Sequence, residues 1–209
     1  MSKTIYNKYE KSMLAQLPVT VFTGRIYVIL SAREAEQAVN YLLSQPLLGL
    51  DTETRPSFRR GHQHTVSLLQ VATEDTCFLF RLNHTGLTPA LRRLLEDKTV
   101  DKVGLSWHDD LNSLQKLGRF HPGRFIDIQD LVKTLGIEDL GLQKLYANLF
   151  GEKISKRQQL SNWEADILND KQKLYAATDA WACLKLYKEI IRLRETNDYE
   201  LIIKEEIQS

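Results

Sequence analysis

The sequence predicts a mixed α/β fold in which a five-stranded mixed sheet is flanked by helices. Three observations carry that expectation. Compact apolar runs punctuated by turn residues come first, strands then alternate with helices, and one long stretch of helical periodicity closes the pattern. At 209 residues and 24.2 kDa the chain is long enough for one domain with a full core. No internal repeat or low-complexity linker divides it. Residues 18–194 are therefore read as one domain between an N-terminal arm, 1–17, and a charged C-terminal extension, 195–209.

The elements follow in order. Val19 to Leu30, with Thr23-Gly24 in the middle, has the pattern of two short strands joined by a turn. Ser31 and Glu34 form a capping box that opens a helix to about Leu43. Leu47-Leu48-Gly49-Leu50 is a compact apolar run of the kind buried on both faces, and it stops abruptly at Asp51-Thr52-Glu53. After a basic loop (Arg59, Arg60, His62, His64), Val66 to Ala72 and Cys77 to Leu82 read as a hairpin around Glu74-Asp75-Thr76. Leu87 to Leu95 is then a helix, Lys102 to Leu105 a strand, and His108 to Leu117, Asp127 to Leu135 and Leu142 to Phe150 are helices. Asp170 to about Glu195 is the longest helix. The first three strands are expected to run antiparallel.

A composition of 43% hydrophobic and 26% charged residues, with mean hydropathy −0.33, excludes a disordered, collagen-like or membrane-spanning chain. Two cysteines, Cys77 and Cys183, without CxxC spacing suit a reducing, cytoplasmic setting. No apolar run reaches signal-peptide or transmembrane length, so neither secretion nor a membrane is expected. The 28 Lys and Arg against 27 Asp and Glu leave a charge of only +1, so any grip on a polyanion must come from local arrangement.

Acidic residues gather in three places. Asp51 and Glu53, two apart on a strand, point to one face, where two carboxylates raise each other's pKa unless a cation lies between them. In Trp107-His108-Asp109-Asp110-Leu111, Asp110 shares the core-facing stripe with Leu114 and Leu117, whereas Asp109 aligns with the polar Ser113 and Lys116. Tyr175 and Asp179 lie one turn apart on the long helix, among alanines (176, 177, 180, 182) that permit close approach to a sheet.

These residues, in this order, resemble the three motifs of the DEDDy branch of 3′–5′ exonucleases. The matching stretches are Leu48-Gly49-Leu50-Asp51-Thr52-Glu53, then Lys102-Val103-Gly104 with Asp110 and Leu114, then Gln172-x-x-Tyr175-Ala176-Ala177-x-Asp179-Ala180. The branch includes ribonuclease D, the Werner-type exonuclease domain and the proofreading domain of family A polymerases. The resemblance covers residues 47–187, with Leu69-Gln70 and Ser161-Asn162-Trp163 in support. It implies a ribonuclease H-like fold and two-metal hydrolysis of phosphodiester bonds from a 3′ end, releasing nucleoside 5′-monophosphates. Asp51, Glu53, Asp110 and Asp179 would hold two divalent ions, Mg²⁺ or Mn²⁺ in keeping with an all-oxygen ligand set. Asp51 would bridge both ions, and Glu53 and Asp179 would bind the one that generates the nucleophile. Asp110 would hold the other mainly through water. Tyr175 would orient the attacking water, because an ordinary phenol is protonated at neutral pH.

Candidate substrate contacts are Thr52, Thr54, Phe58, Arg59, Lys156 and Arg157. Trp163 is read as core, and His62 and His64 as polar surface. The partner is nucleic acid with a free 3′ end, DNA or RNA. Since 209 residues hold no polymerase, helicase or additional helical domain, any help from a protein partner would come in trans. The alternative is a non-catalytic nucleic-acid or protein-binding module retaining the fold; degenerate relatives of that kind usually lose an acid, and here none is missing.

Overall fold

The computed structural model describes residues 2–58, 61 and 63–204. In chain order the elements are β1 (Lys3–Tyr6), α1 (Lys11–Leu14), β2 (Arg25–Ile29), α2 (Ala32–Leu42), β3 (Leu47–Thr54), β4 (Val66–Ala72), β5 (Thr76–Arg81) and α3 (Leu82–Thr85). Next come α4 (Pro89–Glu96), β6 (Asp101–Gly104), α5 (Trp107–Gln115), β7 (Phe125–Asp127), α6 (Ile128–Lys133), α7 (Leu142–Phe150), α8 (Asp170–Thr196) and β8 (Tyr199–Ile202).

The main sheet has six strands, not five, in the order β2-β5-β4-β3-β6-β7. The antiparallel meander is β3-β4-β5, while β2, β6 and β7 join by parallel pairing. Residues 19–30 hold one strand, β2, rather than two. Val19 makes only an isolated bridge to Lys153. Gly24 is pressed against Asp75, whose carbonyl oxygen would lie 2.2 Å from an added Cβ, so this stretch is turned by packing instead of by a hairpin. The sixth strand is β7, three residues long. The two end segments also meet: β1 pairs in parallel with β8 as a separate two-stranded sheet, and Ile5 is fully buried there.

Alternation along β3 sorts its side chains. Leu48 and Leu50 face a core shared with Val39 and Leu42 of α2 and Leu91 and Leu94 of α4. Gly49, Asp51 and Glu53 take the opposite face, beneath α8, where Leu68, Ala72 and Leu79 pack on Ala176, Ala177 and Ala180. The strand and helix touch almost backbone to backbone. A Cβ on Gly49 would stand 2.1 Å from the Ala180 carbonyl oxygen and 2.9 Å from the Leu184 Cβ. This is the reason for glycine in an otherwise apolar run.

The start of α8 is fixed locally. Asn169 and Gln172 form a reciprocal capping box. The Gln172 amide also donates to Ser161 Oγ and the Asn162 carbonyl, both at 3.1 Å, tying residues 161–163 to the helix. Trp163 is fully buried and packs 5.9 Å from the Tyr175 ring, as core rather than as a surface for bases. Cys77 and Cys183 are both free and buried. Among the described residues, no helix is long and apolar enough to cross a membrane.

Candidate active site

The last residues of β3 and the third turn of α8 bring three carboxylates together. Asp51, Glu53 and Asp179 each offer an oxygen within 4.8 Å of the others. Glu53 and Asp179 are only 8% and 5% exposed. Burial drives the pKa values of all three up, and at Asp51 and Glu53 the charges of neighbouring carboxylates add to the effect. Glu53 is pushed to about 10, Asp179 to about 7 against a hydrogen bond from Tyr175 and the Lys156 charge, and Asp51 is raised well above the carboxylate range.

Asp110 reaches the site from the other face of the sheet. It is turned inward and half-buried, whereas Asp109 is exposed. The Thr52 hydroxyl, on the Leu48 and Leu50 face of β3, donates to Asp110 Oδ1. Burial lifts Asp110 to about 6, with the Thr52 hydroxyl opposing and Asp109 and Asp127 adding to the rise. Its charge is felt at Asp51, although its oxygens lie outside the close triple. Tyr175 lines the same cleft, of about 310 Å³, and its phenol is held protonated by burial and by the adjacent carboxylates.

The remaining candidates separate. Thr52 is committed to Asp110. Thr54 is exposed beyond the bulge that follows Glu53. Phe58 is 86% exposed and borders a neighbouring groove with Arg55 and Leu160. Lys156 enters the cleft and, among the described residues, is the one Lys or Arg lining it. Arg157 lines an adjoining hollow that shares Tyr175 with the cleft. Arg59 and His62 lie outside the described residues. His64 pairs with Glu164 at 2.8 Å. Lys102, the basic member of the second motif, is remote from this chemistry: it is fully buried and donates to the carbonyls of Asp97 and Val100 at 2.8 and 2.9 Å.

Two residues of consequence carried no signal that periodicity could read. Gly49 sets the approach of α8 to β3. Asp127 caps the start of α6, as expected, but it also ends β7 and accepts the Ser106 and Trp107 N–H groups at the start of α5, a link the sequence does not show.

The model of the 3′-5′ exonuclease family matches residues 26–193. The chain belongs to that family. A 3′-5′ exonuclease from Arabidopsis thaliana is 31% identical over 208 residues, covering 90% of this chain and 71% of the relative. The bifunctional 3′-5′ exonuclease/ATP-dependent helicase of Mus musculus is 29% identical over 198 residues; the alignment covers 90% of this chain but 14% of the mouse protein. Among solved structures, the Nibbler EXO domain of Aedes aegypti superposes with a TM-score of 0.74 at 23% identity, covering 84% of this chain and 91% of that one. Escherichia coli RNase D gives 0.70 at 22%, covering 84% and 51%. These likenesses show the ribonuclease H-like fold. With the acidic cluster, the family membership makes this a 3′–5′ exonuclease domain of the DEDD type.

The carboxylates fit a divalent cation. Asp179 Oδ1 is buried with no hydrogen-bond donor among the described residues, and the donor set near it is oxygen alone. In the absence of metal the raised values have a direct consequence. The folded state holds protons more tightly than the unfolded chain. For Asp110 and Asp179 the stabilising contribution is complete below the ordinary carboxylate value near 4 and is lost as pH rises through about 6 and 7. In EDTA, the melting temperature of Asp110→Asn is therefore expected to gain on that of the parent between pH 5 and 8. Saturating Mn²⁺ should reverse the order, and parallel melting curves across that range would contradict it.

Proposed function

We propose that this domain hydrolyses phosphodiester bonds from the 3′ end of a nucleic-acid strand with two divalent ions, Mg²⁺ or Mn²⁺, and releases nucleoside 5′-monophosphates. The observation that carries the proposal is the close carboxylate triple of Asp51, Glu53 and Asp179, with Asp110 held beside it by Thr52. Asp51, Glu53 and Asp179 would hold one ion, and Asp51 and Asp110 the other. When bound, such ions supply positive charge that stabilises the attacking and leaving oxygens of an in-line displacement.

The chain's own groups do the rest. The Tyr175 proton is engaged by Asp179, so the phenol offers its oxygen lone pairs to an attacking water and orients it without taking its proton. Lys156 brings a positive charge to an otherwise acidic cleft, where a phosphodiester needs one. Phe58 and Arg157 line hollows beside the cleft, and Thr54 is exposed at the end of β3; these are the proposed contacts for a strand leaving the cleft. Tyr175→Phe keeps the ring against Trp163 and removes the oxygen. It is expected to lower kcat by about 10²-fold with KM little changed, measured on a single-stranded oligonucleotide; a wild-type kcat would remove Tyr175 from the mechanism.

The substrate is read as DNA or RNA with a free 3′ end, since a metal cluster of this kind acts on the phosphate common to both. Matched DNA and RNA oligomers carrying a 5′ label, incubated with Mg²⁺ or Mn²⁺, should shorten one nucleotide at a time, and EDTA or Asp51→Ala should stop the reaction. Absence of an EDTA-sensitive ladder from either polymer, or undiminished activity in Asp51→Ala, overturns the reading.

A further inference from the structure

The turn from β6 into α5 is tight. A Cβ on Gly104 would lie 2.4 Å from the Trp107 ring and 2.8 Å from the Leu50 carbonyl oxygen. Two residues later Ser106 is left-handed at φ 61°, a conformation uncommon for a side-chain-bearing residue. Ser106 stands at the N-cap position of α5 yet gives that helix no side-chain hydrogen bond. The helix carrying Asp110 thus lacks the local device that fixes most helix starts.

Its cap comes from another strand. Pairing of β6 with β7 sets Asp127 opposite Gly104. Asp127 Oδ2 accepts the Trp107 N–H at 2.9 Å, and Oδ1 accepts the Ser106 N–H at 3.1 Å. Oδ1 also accepts the Gln129 N–H at 2.9 Å, capping α6. One carboxylate therefore fastens the starts of two helices, and the short edge strand β7 ends on it. Asp110 lies one turn along α5 from Trp107, so any change in the seating of that N-terminus moves Asp110 relative to Asp51.

We infer that Asp127 is a positioning residue that sets where Asp110 stands beside the carboxylate triple, acting through the α5 backbone. The inference rests on the reading of Asp110 as a metal-holding group. It assigns to the chain a fifth acid that acts on the site without belonging to the cluster. Removal of outer partners of this kind typically costs 10–100-fold in metal affinity.

The test is Asp127→Ser, with Asp127→Asn beside it. Serine can still cap α6, but its single short oxygen cannot also reach the Ser106 and Trp107 amides. Asparagine keeps the length and one acceptor. Two readouts are independent of catalysis: hydrogen exchange of the Ser106 and Trp107 amides in EDTA, and Mn²⁺ binding followed by electron paramagnetic resonance with saturating adenosine 5′-monophosphate. Asp127→Ser should lose protection at those two amides while Gln129 stays protected. Its weaker Mn²⁺ site should lose about 10–100-fold in affinity, with Asp127→Asn in between. In an Asp110→Ala background, Asp127→Ser should cost no further activity. Unchanged affinity at the weaker site, or an equal further loss of activity in the double variant, overturns the inference. Failure of the parent protein to bind Mn²⁺ at all overturns the proposed function along with it.

Discussion

Asp51→Asn is expected to lower kcat in Mg²⁺ by at least about 10³-fold and, in EDTA at pH 8, to raise the melting temperature. Both effects come from the position of Asp51 beside Glu53 and Asp179, within the 4.8 Å cluster. Loss of a single preorganised charge-stabilising group commonly costs 10²–10³ in rate. An acid that would bridge both ions should cost more. The opposite sign for stability follows from burial. Without a cation these carboxylates disfavour each other's ionisation, and asparagine preserves the shape while removing one charge. Relief of a buried, uncompensated charge is worth about 1–3 kcal/mol or more, or roughly 2–12 °C for a chain of this size. Activity assays and thermal melts on the same preparations check both halves. A variant both inactive and destabilised in EDTA would point to lost structure instead of a lost ligand.

Gly49→Ala carries the second large effect, although it touches neither the cleft nor an ionisable group. Its methyl would stand 2.1 Å from the Ala180 carbonyl oxygen, so β3 and α8 must separate. Overpacking of this kind costs about 1–3 kcal/mol. The more informative loss is catalytic. Asp51 and Glu53 ride on the strand and Asp179 on the helix, and a shift near 1 Å between them can cost about 10²-fold in rate. The expectation is a modest fall in melting temperature with a disproportionate fall in kcat/KM and in Mn²⁺ affinity. A protein that melts lower but turns over normally would show that the spacing of strand and helix does not govern the site.

The two cases mark what the sequence could and could not disclose. Asp51, Glu53, Tyr175 and Asp179 are legible because strand and helix periods place them on shared faces. Asp110 is separable from Asp109 for the same reason, and the structure indeed turns the first inward and the second outward. Contacts made across long sequence separations are hidden from periodicity. Thr52 reads as a residue facing substrate, yet its hydroxyl is bound to Asp110, 58 residues away. The β1 and β8 segments read as a polar arm and extension because each contributes only one short strand with little apolar content. They gain strand character only from one another. The parallel pairing of β2 to β5 depends on the path of the chain through the sheet, and Phe125–Asp127 is too short to show a period at all.

The near-neutral charge takes on a different meaning once the site is assembled. Four of the acids that hold the net charge at +1 are the proposed metal ligands, three of them gathered in one cluster. The rest of the chain is therefore basic, and bound cations would offset the acidic cleft. A local grip on a strand end needs no more than that.

The most direct measurement is the number of divalent ions the folded protein holds. Electron paramagnetic resonance titration with Mn²⁺, in the presence of adenosine 5′-monophosphate, is predicted to give two sites per chain in the parent protein, with the loss of both in Asp51→Ala and of the weaker one in Asp110→Ala. Binding of no Mn²⁺ by the parent, or equal binding by the parent and Asp51→Ala, would contradict the account.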